Sequence, residues 1–289
     1  MKLHVFHRTR YTYAAPVRES FNEARLQPVS GPQQTCHSFQ LKITPDTRLS
    51  HYPDFYFNCV HQFEVTDQHK ELTVDANSVV VTLDEPELTP ETISARLGDL
   101  GPLGQVERCY DFLQASTFVD VNPELARLAR TAAGGQTDCW QVAQAVMTHI
   151  NREFHYQPAA TNSHTHMREV LVSRKGVCQD FAHVMLGMCR SLNLPARYIS
   201  GYLYNGPAER LKGAQASHAW VEVYVPGRGW HGLDPTNAQL VGGRYVKVAV
   251  GRDYADVPPV KGTYRGTGRR TLTVEVLVSH AEEPAATRA

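Results

Sequence analysis

Gly176-Val177-Cys178-Gln179-Asp180-Phe181-Ala182-His183, Ser217-His218-Ala219-Trp220-Val221-Glu222-Val223 and Gly229-Trp230-His231-Gly232-Leu233-Asp234-Pro235-Thr236-Asn237 are the stretches that decide the fold. The first opens a helix at Cys178. Phe181, Val184, Met185, Met188, Cys189 and Leu192 repeat at the spacing of one buried helical face, and Asn193-Leu194-Pro195 ends the pattern. The second alternates as a strand: Ala219, Val221, Val223 and Val225 share one face, His218, Trp220, Glu222 and Tyr224 the other. Only residues 226–229 separate it from the third stretch, so the two strands pair as a hairpin. A helix followed by antiparallel strands is an α+β arrangement.

The three stretches supply a Cys, a His and an Asp in settings that suit acyl chemistry. A thiol attacks only as thiolate, and an ordinary Cys, with a pKa of about 8.5, is mostly protonated at neutral pH. Cys178 at a first helical turn faces unpaired N–H groups and the positive end of the dipole, both of which favour negative charge. A strand holds His218 rigidly enough to take the thiol proton and return it to a leaving amine. Asp234 ends the neighbouring strand before Pro235, where it can reach the ring nitrogen turned away from the thiol and fix the tautomer. Each residue alone has a plainer reading: a buried thiol such as Cys189, a half-exposed strand histidine, or a turn-forming Asp before Pro.

A helix-start Cys178 N–H is a natural oxyanion donor. Tyr156, in Phe154-His155-Tyr156-Gln157-Pro158, is the candidate for a second, and Trp140 follows it. Gln179, Asp180, His183 and Trp220 are candidates for the cleft walls, with core packing as the competing role. His164-Thr165-His166 places two imidazoles together, but zinc needs three or four converging ligands and no further partner has suitable spacing. No metal and no cofactor are expected.

Outward from this core, residues 1–100 read as short strands broken by turns: Leu3 and Val5, Phe39-x-Leu41-x-Ile43, then 56–65, 72–75 and 79–83. That punctuation predicts an N-terminal antiparallel β-sandwich. Asp84-Glu85-Pro86-Glu87 and Gly98-Asp99-Leu100-Gly101-Pro102 mark a linker. Residues 101–280 form the expected catalytic core. In it Asn122 caps a helix with Pro123 at its first position, Thr137 caps another, and a short one carries Met167, Val170 and Leu171. Leu272, Val274, Val276 and Val278 alternate in a last strand, and residues 281–289 read as a frayed tail.

Twenty-nine basic and 29 acidic residues give zero formal net charge, which argues against a nucleic-acid or membrane-surface partner. No apolar run approaches the roughly 18 residues of a membrane span. The start, Met1-Lys2-Leu3-His4-Val5-Phe6-His7-Arg8, lacks the apolar segment of a signal peptide, so a soluble cytoplasmic protein is expected. Six Cys without C-x-x-C spacing then read as mostly free thiols.

Phe154-x-Tyr156, Gly176 to His183, Leu194-Pro195-Ala196-Arg197-Tyr198, Ser217 to Glu222, Gly229-Trp230 and Leu233-Asp234-Pro235-Thr236, in this order, resemble the transglutaminase-like core, a papain-like cysteine fold. Tyr11 to Pro16, Leu26-Gln27-Pro28 and Asn58-Cys59-Val60 resemble the β-rich domain that precedes it in bacterial members. Gly251 to Pro259 and Gly262 resemble the family's closing segment. Phe57 stands where that family usually has Gly. The resemblance implies a Cys178–His218–Asp234 triad and a fold shared by proteases, amidases and transglutaminases. Papain-like enzymes carry an oxyanion Gln six residues before the nucleophile, a position held here by Val172. Animal transglutaminases have Trp after the nucleophile and use calcium; here Gln179 follows and no acidic calcium loop is visible. The expectation is a cysteine hydrolase, a protease or amidase acting on a peptide or protein amide through a thioester. Acyl transfer to an amine, a non-catalytic peptide-binding module and a His-based metal protein are the alternatives.

Overall fold

A computed structural model describes residues 1–84, 95–102, 107–206, 211–213 and 217–281. Most of the expected linker at 84–87, part of the loop 205–215 and the tail beyond Ala281 lie outside these residues.

The N-terminal strands are β1 (Lys2–Ala24), β2 (Gln34–Thr44), β3 (Leu49–Pro53), β4 (Cys59–Val65) and β5 (His69–Thr82), in the order β2-β5-β1-β4-β3. All their pairings are antiparallel. The segments 72–75 and 79–83, read as two strands, are one continuous β5 up to Thr82. β1 organises the unit. Residues 2–12 pair with β5, the register shifts between Thr12 and Val17, and residues 20–24 pair with β4. A shift of this kind bends a strand and increases its twist. The sheet therefore curls over its own core of Tyr11, Tyr13, Val17, Phe63, Val65, Leu72 and Val74.

The remaining elements are α1 (Glu107–Tyr110), α2 (Pro123–Ala133), α3 (Cys139–Glu153), β6 (His155–Tyr156), α4 (Met167–Ser173), β7 (Lys175–Gly176), α5 (Cys178–Arg190), β8 (Ala196–Leu203), β9 (His218–Val225), β10 (Gly229–Asp234), β11 (Gln239–Leu240), β12 (Tyr245–Gly251), β13 (Val260–Arg265) and β14 (Arg270–His280). Asn122 Oδ1 accepts the Leu125 N–H at 2.9 Å and caps α2 as expected. The cap of α3 is Asp138, not Thr137: its carboxylate accepts the N–H groups of Trp140 and Gln141, each at 3.0 Å. A carboxylate is the stronger acceptor beside the positive end of a helix.

β11-β10-β9-β8-β12 form an antiparallel sheet. α5 packs on it through Phe181, Val184, Met185 and Met188, all buried in one cluster with Ala219, Val221 and Val223. Each such side chain contributes about 1.5–3 kcal/mol by leaving water. At the far end of α5 the buried Arg190 guanidinium donates to the carbonyls of Ala196 and Gln114 at 3.0 and 3.1 Å. β13 and β14 hydrogen-bond to β1, so the range 101–280 takes in two strands that belong to the N-terminal sheet. Leu3, Val5 and Val80 share a core with Tyr202, Val246 and Val248, which joins the two sheets.

Candidate active site

Cys178 sits where β7 gives way to α5 and is the first residue of the helix. Its N–H is therefore one of those with no intrahelical acceptor. The entry is tight because Asp180 folds back: its buried Oδ2 accepts the Val177 N–H at 2.8 Å and the Thr161 hydroxyl at 2.6 Å. Burial raises the Asp180 pKa, and those two hydrogen bonds oppose the rise. Gly176 is required here, since a Cβ on it would lie 2.6 Å from Asp180 Oδ2.

His218 opens β9 and Asp234 closes β10, and both side chains are fully removed from solvent. His218 Nε2 meets Asp234 Oδ2 at 2.8 Å. Asp234 is held on every side. Oδ2 also accepts from the Tyr245 hydroxyl at 2.9 Å and the Asn237 amide at 2.8 Å, and Oδ1 accepts the Thr236 N–H at 2.8 Å. Burial pushes the Asp234 pKa up, but the His218 charge and these donors prevail and lower it. Burial pushes His218 down; the Asp234 charge and hydrogen bond, reinforced by the nearby Cys178 sulfur, overcome it and raise the imidazole to about 10. The nitrogen left over is Nδ1, which makes no hydrogen bond among the described residues. Gly213 packs against it so closely that a Cβ there would lie 2.5 Å away.

Tyr156 lies in β6, which runs parallel to β7 and places Tyr156 opposite Gly176. Its phenol is pushed up to about 12, by burial first and then by the charges of Cys178 and Asp234. The sequence candidates at this end of the sheet thus come together: Cys178, His218, Asp234 and Tyr156. Gln179 lies at the edge, its amide donating to the Ser163 carbonyl at 3.3 Å.

Other candidates go elsewhere. His183 is fully buried beneath α5, stacked on Phe118 at 5.4 Å, with Nε2 accepting the Tyr254 N–H at 3.2 Å. Burial, reinforced by the Arg190 charge, lowers its pKa to about 3, so it is a neutral core residue. Trp220 is also fully buried; its ring lies 6.2 Å from His218 and 5.3 Å from Tyr245. Trp140 packs against His231 with ring centres 5.8 Å apart. His166 Nδ1 accepts the Arg168 N–H and caps α4. Tyr245, Asn237 and Thr161 were not singled out from the sequence. Asn237, three residues past Asp234, could have been found from the turn chemistry of Asp-Pro-Thr-Asn. Tyr245 carries no local signal.

The profile of the transglutaminase-like superfamily matches residues 126–235, and that of the bacterial transglutaminase-like N-terminal region matches residues 3–81. An uncharacterized protein of Mycobacterium leprae is 34% identical over 281 residues, spanning 96% of this chain and 98% of that protein. A protein-glutamine gamma-glutamyltransferase of Pseudomonas aeruginosa is 30% identical over 122 residues, 40% of this chain and 18% of that one. Among solved structures, a candidate cysteine protease from Cytophaga hutchinsonii superposes with a TM-score of 0.75 over 98% of this chain and 92% of that one, at 23% identity. With both regions matched in order, the chain belongs to the transglutaminase-like superfamily, in the form that carries the bacterial N-terminal region.

Proposed function

We propose that this protein is a cysteine hydrolase that cleaves a peptide or protein amide bond with a Cys178–His218–Asp234 triad. The observation that carries the reading is the orientation of His218. Its Nε2 is committed to Asp234 at 2.8 Å, which leaves Nδ1 to exchange protons with Cys178. The thiol proton of Cys178 resides on His218 Nδ1, in keeping with an imidazole raised to about 10, and the sulfur attacks the carbonyl carbon. The tetrahedral oxyanion is met by the Cys178 N–H and the Tyr156 hydroxyl. The leaving amine departs with the proton from Nδ1, and a thioester remains on Cys178. Water, deprotonated by His218, resolves it to a carboxylic acid and regenerates the thiol.

A second reading keeps the acyl-enzyme and resolves it with an amine. The match to the Pseudomonas aeruginosa glutamyltransferase favours it.

Iodoacetamide labelling against pH, with peptide mapping, tests the pair directly. Cys178 is expected to label ahead of the half-buried Cys36 and Cys59 at pH 6, and His218→Ala to abolish that lead. Equal labelling of all three thiols in the native protein would overturn the enzyme reading and favour a binding module. Incubation with a peptide library, with and without a primary amine, then separates the two reactions by product mass: new carboxylates for hydrolysis, new amides for transfer.

A further inference from the structure

β14 leaves one edge of the N-terminal sheet open. It pairs with β1 from Leu3↔His280 to Tyr13↔Arg270 without a register shift, and no described strand lies on its outer side. The other edges are blunted in the ways that exposed edges commonly are. β2 bulges between Cys36 and Ser38, β3 has five residues and ends in Pro53, and β13 carries Lys261. β14 has no bulge, proline or lysine, and Leu272 and Val274 on it are 52% and 43% exposed.

Two hydrogen bonds fix which backbone groups face outward. The Ala14 N–H donates to the Arg269 carbonyl and the Ala281 N–H to the Lys2 carbonyl, both at 3.0 Å. Alternate residues of an antiparallel strand turn their backbone groups to opposite sides. The odd-numbered residues of β14 therefore face β1. Arg270, Leu272, Val274 and Val276 present their N–H and carbonyl groups to the open edge.

The charges indicate what fits there. Lys42, Asp75, Arg8 and Glu275 are cross-strand neighbours in a row over β2, β5, β1 and β14. Their signs alternate, and Arg8 holds Asp75 by hydrogen bonds of 2.7 and 2.8 Å. The row stops at Glu275, so a strand added to this edge fits best with a cation opposite it. β14 leads in with one. Arg269 lies six residues before Glu275, an even spacing that keeps both on one face. Both are exposed, and neither is ion-paired among the described residues.

We propose that β14 pairs antiparallel with β14 of a second copy of this chain, about a twofold axis at Leu272, so that the two N-terminal sheets join. In this register Leu272 meets its own copy, Thr271 meets Thr273, and Arg269 meets Glu275 once on each side of the axis. Each row of charges gains its next member, and the outward groups of Arg270, Leu272 and Val274 gain partners. The same patch serves both copies, as a twofold interface requires. The Arg269–Glu275 pair falls at a non-hydrogen-bonded position, where facing side chains are closest. An axis at Val274 or Glu275 would instead bring the two Glu275 carboxylates together diagonally or directly, which is unfavourable.

Sedimentation velocity of the full chain across a concentration series tests the pairing. A reversible monomer–dimer equilibrium is expected. Arg269→Glu and Glu275→Arg each set like charges opposite one another, and each is expected to weaken the dimer at least about tenfold. Both positions are exposed, so melting of the monomer is expected to stay unchanged. Mixing the two variants restores opposite charges at both contacts, and a heterodimer of about native strength is expected. Concentrating the native protein is expected to slow amide exchange at Leu272 and Val274 at least about tenfold, and far less at Thr271 and Thr273, whose N–H groups already face β1. A monomer at every concentration, a dimer indifferent to both charge reversals, or a mixture of the variants that stays monomeric overturns the proposal. So does protection of Leu272 and Val274 that is already complete in dilute solution, which assigns the edge to cover from within one chain.

Discussion

His218 and Asp234 form a buried ion pair whose pH dependence follows from the two directions of shift. His218 is raised to about 10, so its contribution is complete below the unfolded value of about 6.5 and is lost as pH rises through about 10. Asp234 is lowered, so its contribution is present above the unfolded value of about 3.9 and is lost as pH falls. The pair is therefore most stabilising between about pH 4 and 6.5. Urea unfolding of the native protein and Asp234→Asn is expected to show a stability gap that narrows from pH 6 to pH 10; a gap that widens refutes the charged pair. Tyr245→Phe removes one donor to a charged acceptor, which costs about 1.5–3 kcal/mol, and leaves the Nε2 contact in place. Turnover is expected to fall less than in Asp234→Asn, where the tautomer is wrong and the loss is expected to reach roughly 10²–10⁴-fold. Phe57 offers a cleaner case, because it touches no chemistry. Its φ is +63° and its surface is 85% exposed, which explains why glycine suits this position. The left-handed conformation costs a non-glycine residue about 1–2 kcal/mol, and the greater freedom of unfolded glycine offsets roughly 0.5–1 of that. Phe57→Gly is expected to raise stability by about 0.5–1 kcal/mol in a denaturant titration.

At the scale of elements, the site is a helix start held against the ends of two strands. Asp180 fixes the helix start. Asp180→Ala strips the acceptor from the Val177 N–H and is expected to cost about 1–2 kcal/mol. Asp180→Asn keeps an acceptor oxygen and is expected to cost less, with iodoacetamide labelling of Cys178 following the same order. These elements were legible because each has its own period. The buried face of α5, the alternation of β9 and the three-residue link to β10 are local patterns, and they put Cys178 at a helix start, His218 in one strand and Asp234 at the end of the next. What could not be read locally depends on pairing across the sheet. Tyr245 reaches Asp234 because β12 joins the sheet on the far side of β8, and nothing near residue 245 announces that order. Trp220 and His218 share a strand face, so the sequence grouped them; the packing of Tyr245 and Trp220 together seals Trp220 from the cleft. His183 has helical spacing from Cys178, yet five residues is about one and a half turns, which carries it to the core side of α5.

For the whole molecule the governing fact is that β1 serves two partners far apart in the chain. It pairs with β5 and β4 from its own end, and with β14 and β13 from the other. Side-chain amides complete the junction. Asn58 accepts the Val250 N–H at 2.7 Å and donates to the Val250 carbonyl at 2.8 Å, as Gln34 does with Lys247, so each amide stands in for a β-strand neighbour of β12. Asp54 in turn binds the Asn58 amide at 3.1 Å and Arg25 at 3.1 Å. Two sheets tied this way unfold together rather than in sequence, because opening either one breaks the hydrogen bonds that the backbone groups of buried Val250 and half-buried Lys247 make to these amides. Asn58→Ala leaves a buried N–H and a buried carbonyl of Val250 unpaired, and about 1–3 kcal/mol for each is expected. Removal of residues 260–289 strips both β13 and β14 from β1, exposing an edge along most of its length. The expected result is a single lowered transition for Asn58→Ala, coincident by tryptophan fluorescence and far-ultraviolet circular dichroism, and an aggregating product for the truncation. A truncated chain that melts cooperatively at the native temperature would show that β13 and β14 are dispensable to the curled sheet. Two separated transitions in Asn58→Ala would show that the sheets fold as independent units.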